Sequence, residues 1–387
     1  MGGTELAMYH YAQALVQAGH DVTVFTTNAI NFQSAGLPPH EIRDGIRIVR
    51  FATVPFPMKY AFISLGLARA LLRINVQILQ VFSLLPSFFI LASILIAKVR
   101  AVPLVLYPQF HPNRFDQHPE RWTRILGGVF DRGVAVHFVR MADYVICLTR
   151  LEERLYRRSG IKNLKTIYEW IPRRHAPTEE AVERFRKKFG LGENEKIVLF
   201  VGRVDKRKGL DILLRALPRV IENMPNVKLL VVGKDWGYLR ECLRIAQELR
   251  CLKHVTATGP VDEEEIEAAY CIADVVVIPS SFEAYGRTLI EAWTFRKPVV
   301  LTDRVALSEL VTANSGVVVR SGSASELSGA ILRILSDETL AERLGNNGHA
   351  SLCANMLETH QIVDQLVSIY RVVRRGSNRR LSGRSPH

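Results

Sequence analysis

The chain has 387 residues and a formal net charge of +13, from 51 Lys and Arg against 38 Asp and Glu. Its 48% hydrophobic and 23% charged residues exclude a disordered chain, and its length exceeds what one hydrophobic core usually supports. The five cysteines (Cys147, Cys242, Cys251, Cys271 and Cys353) have neither CxxC nor zinc-ligand spacing, which argues against a disulfide framework and for a reduced, cytoplasmic setting.

No basic region followed by an apolar run opens the chain, so no secretory signal is expected. Residues 4–18 have helical periodicity, with Ala7, Tyr11, Ala14, Leu15 and Ala18 on one face and Gly19 as the stop. Strands are predicted at 21–26, 46–51, 76–81, 103–107 and 143–148, with helices between several of them. The stretch 74–97 carries no charge and is long enough to span a bilayer. Asn75, Gln77, Gln80 and Pro86 interrupt it, so it reads as a buried strand feeding a helix. Short apolar strands alternating with helices imply a parallel sheet covered on both faces.

Residues 173–194, after Pro172 and with Pro177 and Gly190-Leu191-Gly192, break this rhythm and read as a linker. A second α/β series follows over 195–355. Its strands are predicted at 196–201, 227–232, 255–258, 274–278 and 298–302, and its helices at 210–221, 238–249, 262–272, 287–295, 324–336 and 339–355. The first domain then spans 1–172, with a final apolar-periodic helix within 356–373 packing back on it. The basic tail 374–387, with five arginines and no acid, is expected to be disordered.

Two segments carry candidate chemistry. Val201-Gly202-Arg203-Val204-Asp205-Lys206-Arg207-Lys208-Gly209 lies where a strand ends and a helix begins, the edge at which parallel sheets bind ligands. Gly202 permits close backbone approach, and Arg203 and Lys208 suit a phosphate or diphosphate, although a solvated basic loop reads the same way. Pro279-Ser280-Ser281-Phe282-Glu283-Ala284-Tyr285-Gly286 leads into another helix, whose leading amides favour an anion. Glu283 stands before that helix and Glu291 inside it, its side chain leaning back toward the N-terminus. Carboxylates accept hydrogen bonds from sugar hydroxyls, so acids beside an anion site suit a ligand with both diphosphate and sugar.

Together, Gly202-Arg203, Lys208-Gly209, Glu283 through Glu291 and Pro298-Val299-Val300 resemble the signature of retaining GT-B glycosyltransferases of family 4. The opening Gly2-Gly3-Thr4-Glu5 and Gly19-His20-Asp21-Val22 are similar to that family's start. The resemblance reaches to about Asn355 and implies an α/β GT-B fold, two Rossmann-like domains facing a cleft, with nucleotide sugar held by the second. It implies that Arg203 and Lys208 grip the diphosphate, Glu291 the ribose and Glu283 the transferred sugar. Ala284, Tyr285 and Gly286 would meet sugar hydroxyls and phosphate, His111 would face the sugar, and Gly3 would lie where the first domain approaches the donor. The implied reaction moves a sugar from a UDP- or GDP-linked donor, a co-substrate rather than a cofactor, to a lipid-linked, glycan or small-molecule acceptor. Anomeric configuration is retained and cationic side chains replace a metal.

Several positions depart from the family pattern. The strand expected before Gly2 is missing, which points to an upstream start. Tyr168-Glu169-Trp170-Ile171-Pro172 replaces Pro-Asn-Gly, Arg296 replaces a glycine, and Val305-Ala306 replaces a glycine pair, where side chains would narrow the diphosphate pocket. These changes motivate a competing reading as a non-catalytic homologue that binds nucleotide sugar or membrane. The positive charge and the apolar segment 51–62 suggest docking on anionic lipid, peripheral on the cytoplasmic face. A third reading, nucleic-acid binding, rests on charge alone, and no specific nucleic-acid module is expected. A nicotinamide dehydrogenase lacks its GxGxxG after a strand, and a sugar-nucleotide epimerase is a minor enzymatic alternative.

Overall fold

The computed structural model describes residues 3–30, 33–34, 37–55, 62–83, 88–109, 121–129, 133, 135–168, 176–355 and 359–382. The chain divides into two compact units, Met1–Trp170 with Leu357–His387, and Ile171–Met356.

The first unit opens with α1 (Gly3–Gln17) and continues through β1 (Thr23–Thr27) and the short pair β2 (Ala29–Ile30) and β3 (Gln33–Ser34). Next come β4 (His40–Arg43), β5 (Ile46–Phe51), the short pair β6 (Val54–Pro55) and β7 (Phe62–Ile63), α2 (Leu65–Arg73) and β8 (Leu79–Phe82). The rest are α3 (Phe88–Val99), β9 (Leu104–Tyr107), α4 (Arg121–Val129), α5 (Ala135–Arg140), β10 (Tyr144–Cys147), α6 (Arg150–Arg158) and β11 (Leu164–Thr166).

The single parallel sheet expected here is instead two pieces. One has the order β1-β5-β4, with β4 antiparallel, and the other has the all-parallel order β11-β10-β9-β8. Helix α1 packs on both. Its Tyr11 ring meets Phe82 and Tyr107, at the ends of β8 and β9, while α1 also lies against β5.

The segment 74–97 does contain a strand followed by a helix, and no helix among the described residues is long and apolar enough to cross a membrane. The last helix, α14 (Thr359–Ser382), returns to this unit. It buries Ile362, Leu366 and Ile369, packs against α1 and β9, and bonds Tyr370 to Gln80. The helix runs on to Ser382, which corrects the expectation of disorder over 374–382, while 383–387 lie outside the described residues: the apolar face that anchors its first turns lets the helix propagate into the basic end.

The second unit is one six-stranded parallel sheet of order β14-β13-β12-β15-β16-β17. Its strands are β12 (Lys196–Val201), β13 (Val227–Val232), β14 (Val255–Gly259), β15 (Val275–Ile278), β16 (Val299–Thr302) and β17 (Val317–Val319). Runs such as Val275-Val276-Val277-Ile278 are buried throughout, as strands covered on both faces must be. The covering helices are α7 (Glu179–Phe189), α8 (Leu210–Asn223), α9 (Leu239–Glu248), α10 (Glu263–Ile272), α11 (Arg287–Thr294), α12 (Ala324–Leu335) and α13 (Glu338–Asn355).

Local signals set the helix ends. Asp262 and Glu265 form a reciprocal capping box, Thr178 and Ser323 cap α7 and α12, and Gly190 closes α7 in the left-handed conformation. Helix α7, which the sequence placed inside a linker, packs on α10 and belongs to this unit.

Candidate functional site

The strands β12, β13, β15 and β16 deliver their following loops to one edge of the second sheet, and backbone hydrogen bonds join those loops. Gly202 N–H donates to the Val232 carbonyl at 2.9 Å, Val204 N–H to Lys234 at 2.9 Å and Trp236 N–H to Val204 at 3.1 Å. A Cβ on Gly233 would lie 2.0 Å from the Gly202 carbonyl oxygen, so the two loops touch through backbone alone. Asp205 caps the 3-10 turn at Lys206–Lys208 by accepting from the Arg207 amide. Gly209, at φ 71°, sits so close to Pro279 that a Cβ would be 2.1 Å from its carbonyl oxygen.

The loop after β15 is fastened on both sides. Ser281 N–H donates to Arg207 at 2.8 Å. Glu283 N–H donates to Arg304 at 3.1 Å, and its carbonyl accepts from Ala306 at 3.0 Å. These contacts place the Lys208 ammonium on the Glu283 carboxylate, as a largely buried ion pair. The Lys208 stem runs over Gly202, its Cε 3.9 Å from where a Cβ would be. Three residues after Glu283, Gly286 starts α11 at φ 111°, and its surroundings include the Glu283 stem. The first amides of α11 have no partner within the helix, and the helix dipole adds positive potential there.

Glu291 lies on α11, buried, and accepts from the Tyr270 hydroxyl at 2.7 Å. Tyr270 is fully buried on α10 and stacks on Phe295, ring centroids 5.4 Å apart. Thr288, on the first turn of α11, reaches the Val201 carbonyl at 3.4 Å, tying the helix start to the end of β12.

Arg203 takes a different direction from Lys208. Its guanidinium stacks over the Trp236 ring at 4.6 Å, on the loop that follows β13. Asp235 organises that loop by accepting from the Gly237, Tyr238 and Leu239 amides at 2.8, 3.0 and 3.1 Å. The Leu239 amide above all, helped by its neighbours, holds the Asp235 carboxyl below the usual range.

The structure therefore gathers Gly202, Lys208, Glu283, Ala284, Tyr285 and Gly286 around the start of α11, with Glu291 in the helix and Arg203 at the flank. Gly3 begins α1 in the first unit, and His111 lies outside the described residues. Trp236, Asp235 and Tyr270 were missed by the sequence reading. An aromatic two residues after a Gly-Lys turn at a strand end is the one signal that would have pointed to Trp236.

Two departures from the family pattern resolve differently. Arg296 follows the last turn of α11, at the far end from Gly286, where it adopts φ 54° and reaches Asn346 at 3.2 Å. It does not narrow an anion pocket, and its cost is backbone strain in a position that suits glycine. Val305 is buried directly against Gly286, with its Cγ1 2.7 Å from a would-be Cβ, so a side chain does stand at the helix start.

The description "Glycosyl transferases group 1" matches residues 181–351, and "Glycosyl transferase 4-like domain" matches residues 2–168. The chain belongs to the group 1 glycosyltransferases. Its relatives include alpha-D-kanosaminyltransferase of Streptomyces kanamyceticus, 28% identical over 72% of this chain and 73% of that protein. By structure it is similar to sucrose-phosphate synthase from Thermosynechococcus elongatus, with TM-score 0.72 and 24% identity over 96% and 94% of the two chains. It is also similar to HepE of Anabaena in complex with UDP-glucose, with TM-score 0.72 and 20% identity over 95% of each chain. This likeness concerns the fold, which is GT-B.

Proposed function

We propose that this glycosyltransferase uses a nucleotide-diphospho-sugar and retains the anomeric configuration, with the second unit as its donor site. One observation carries the proposal: Lys208 and Glu283, which are 75 residues apart, meet beside the first turn of α11. A cation, an acid and helix amides at one point suit a ligand that is anionic on one side and rich in hydroxyls on the other. HepE, whose solved complex contains UDP-glucose, supports UDP as the first nucleotide to test.

Breaking the anomeric carbon–oxygen bond leaves negative charge on the diphosphate. Lys208 and the α11 amides neutralise that charge, and Arg203 presents a planar fork from the side. On donor binding Lys208 exchanges its carboxylate partner for phosphate, which frees Glu283 to accept from sugar hydroxyls. Glu291, oriented by Tyr270, is placed to accept from ribose hydroxyls. In the retaining step the acceptor oxygen bonds the anomeric carbon on the face the diphosphate leaves, and the acceptor proton passes to the departing phosphate oxygen. Side chains alone then balance the charge, without a divalent metal, in a cytoplasmic setting where nucleotide sugars are soluble substrates.

The test is nucleotide release from a panel of UDP- and GDP-sugars, with the anomeric configuration of the product read by NMR. Turnover that survives EDTA, retention of configuration and loss of turnover in Glu283→Gln are expected. A Glu283→Gln variant as active as the parent, or an inverted product, overturns the proposal. Tight donor binding without turnover by the parent would instead favour the non-catalytic reading, to which Val305 against Gly286 lends its one structural argument.

A further inference from the structure

Helices α2 and α3 of the first unit pack against each other and are tied at their ends, where the Arg100 guanidinium donates to the carbonyls of Leu71 and Ile74. Each buries one face, α2 through Leu67 and Leu71 and α3 through Ile94 and Ala97. Their other faces remain apolar in water. Leu65 is 67% exposed, Leu72 52%, Leu95 49% and Val99 81%. The spacings repeat helical turns: Leu65, Arg69 and Leu72 on α2, and Leu95 and Val99 on α3. An ordinary solvated face would carry mixed charges here.

The charged residues along this stretch of the sequence have one sign. No carboxylate occurs in the sequence between Asp44 and Asp116. Lys98 is matched by Asp143 from another element, and Arg100 by backbone carbonyls. Among the described residues, Arg69 and Arg73 form no ion pair. Exposed leucine and valine flanked by unmatched arginine on short amphipathic helices match the two components of interfacial binding, apolar insertion and attraction to anionic headgroups.

We propose that the outer face of α2 and α3 docks this protein on an anionic lipid bilayer. The sequence points for such a surface to 51–62, half of which lies outside the described residues; the exposed side chains assign it to the two helices that follow. The surface is independent of the donor site in the second unit, so it deepens the functional reading only by placing the reaction at a membrane where a lipid-linked acceptor would reside.

Flotation of the full chain with phosphatidylcholine vesicles, with and without phosphatidylglycerol, tests the proposal. Binding is expected only with phosphatidylglycerol and should weaken as salt rises. Leu95→Glu with Val99→Glu should lower vesicle binding roughly tenfold or more, because two charges would enter the interface. Donor hydrolysis by the same variant, read with soluble nucleotide sugar, should be unchanged, which separates failure of this proposal from failure of the donor-site reading. Arg69→Gln with Arg73→Gln should reduce the salt dependence while leaving the fold untouched.

Equal binding to both vesicle types, or full binding by the Leu95→Glu and Val99→Glu variant, overturns the proposal. A Trp122→Ala variant that alone abolishes binding does so too, by moving the docking face to α4, where Trp122 is also exposed. A dimer of the parent that these glutamates dissociate would reassign the face to a second copy of the chain.

Discussion

The two units use the same alphabet of parallel strands and covering helices, yet they differ in how their loops and surfaces are finished. In the second unit one continuous sheet delivers four loops to a single edge. Hydrogen bonds and three glycines lock those loops, so Lys208 and Glu283 meet without freedom to search. In the first unit the sheet is in two pieces, α1 packs on both, and α2 and α3 leave apolar side chains in water. The comparison teaches that rigidity has been invested where charge must be placed accurately, while the other unit keeps a surface that is unfinished for a soluble protein.

The largest expected effect breaks the chemistry while sparing the fold. Lys208→Ala should lower kcat by roughly 10²–10³-fold, the scale for removing one stabilising group from a preorganised site. Steady-state kinetics beside a thermal melt checks it, and a variant that loses only stability would remove Lys208 from the reaction. Next comes the backbone that holds the site. Gly209→Ala, at a positive φ and against the Pro279 carbonyl, should cost about 3 kcal/mol in urea unfolding. An equivalent change at Gly376, on the C-terminal helix with nothing within 4 Å of a would-be Cβ, should cost nothing comparable.

A smaller effect is expected at the flank. Trp236→Ala should raise donor KM about two- to fivefold with kcat preserved, the range of an exposed cation–π contact, and Trp236→Phe should restore most of it. The Asp235 turn beneath this contact has a pH signature. Its folded carboxyl titrates below the ordinary aspartate range, so its contribution is complete above about pH 4 and fades as pH falls through the lowered value. Donor affinity measured down an acid series should therefore fall in the parent as Asp235 protonates, and an Asp235→Ser variant, with no carboxyl to titrate there, should start weaker and lack that fall. The smallest effect is a gain: Arg296→Gly should stabilise by about 0.5–1 kcal/mol by relieving the left-handed residue after α11, with turnover unchanged.

Much of the second unit was legible in the sequence because buried parallel strands leave unbroken runs, such as those at 227–232 and 275–278, and their loops carry glycine and charge. The paired segments at 202–209 and 279–286 could be matched to one family for the same reason. What the sequence did not reveal were contacts made in space. Nothing local says that Arg203 stacks on Trp236, that Tyr270 holds Glu291, or that Lys208 lies on Glu283. Arg296 was legible only as a replaced glycine; that its position follows the last turn of a helix, away from Gly286, is set by the fold. Residues 374–382 read as disordered because composition carries no trace of the anchored helix that precedes them.

The ion pair between Lys208 and Glu283 makes the Glu283 carboxylate a competitor of any anion for the Lys208 ammonium. An isolated sulfate or phosphate approaching the ammonium has to displace a carboxylate that is already seated and partly dehydrated, and it offers that carboxylate nothing in return. A molecule that brings hydroxyls along with its charge satisfies both partners at once. Inorganic anions should therefore inhibit weakly, and replacing Glu283 with glutamine should make the same site noticeably more sensitive to them.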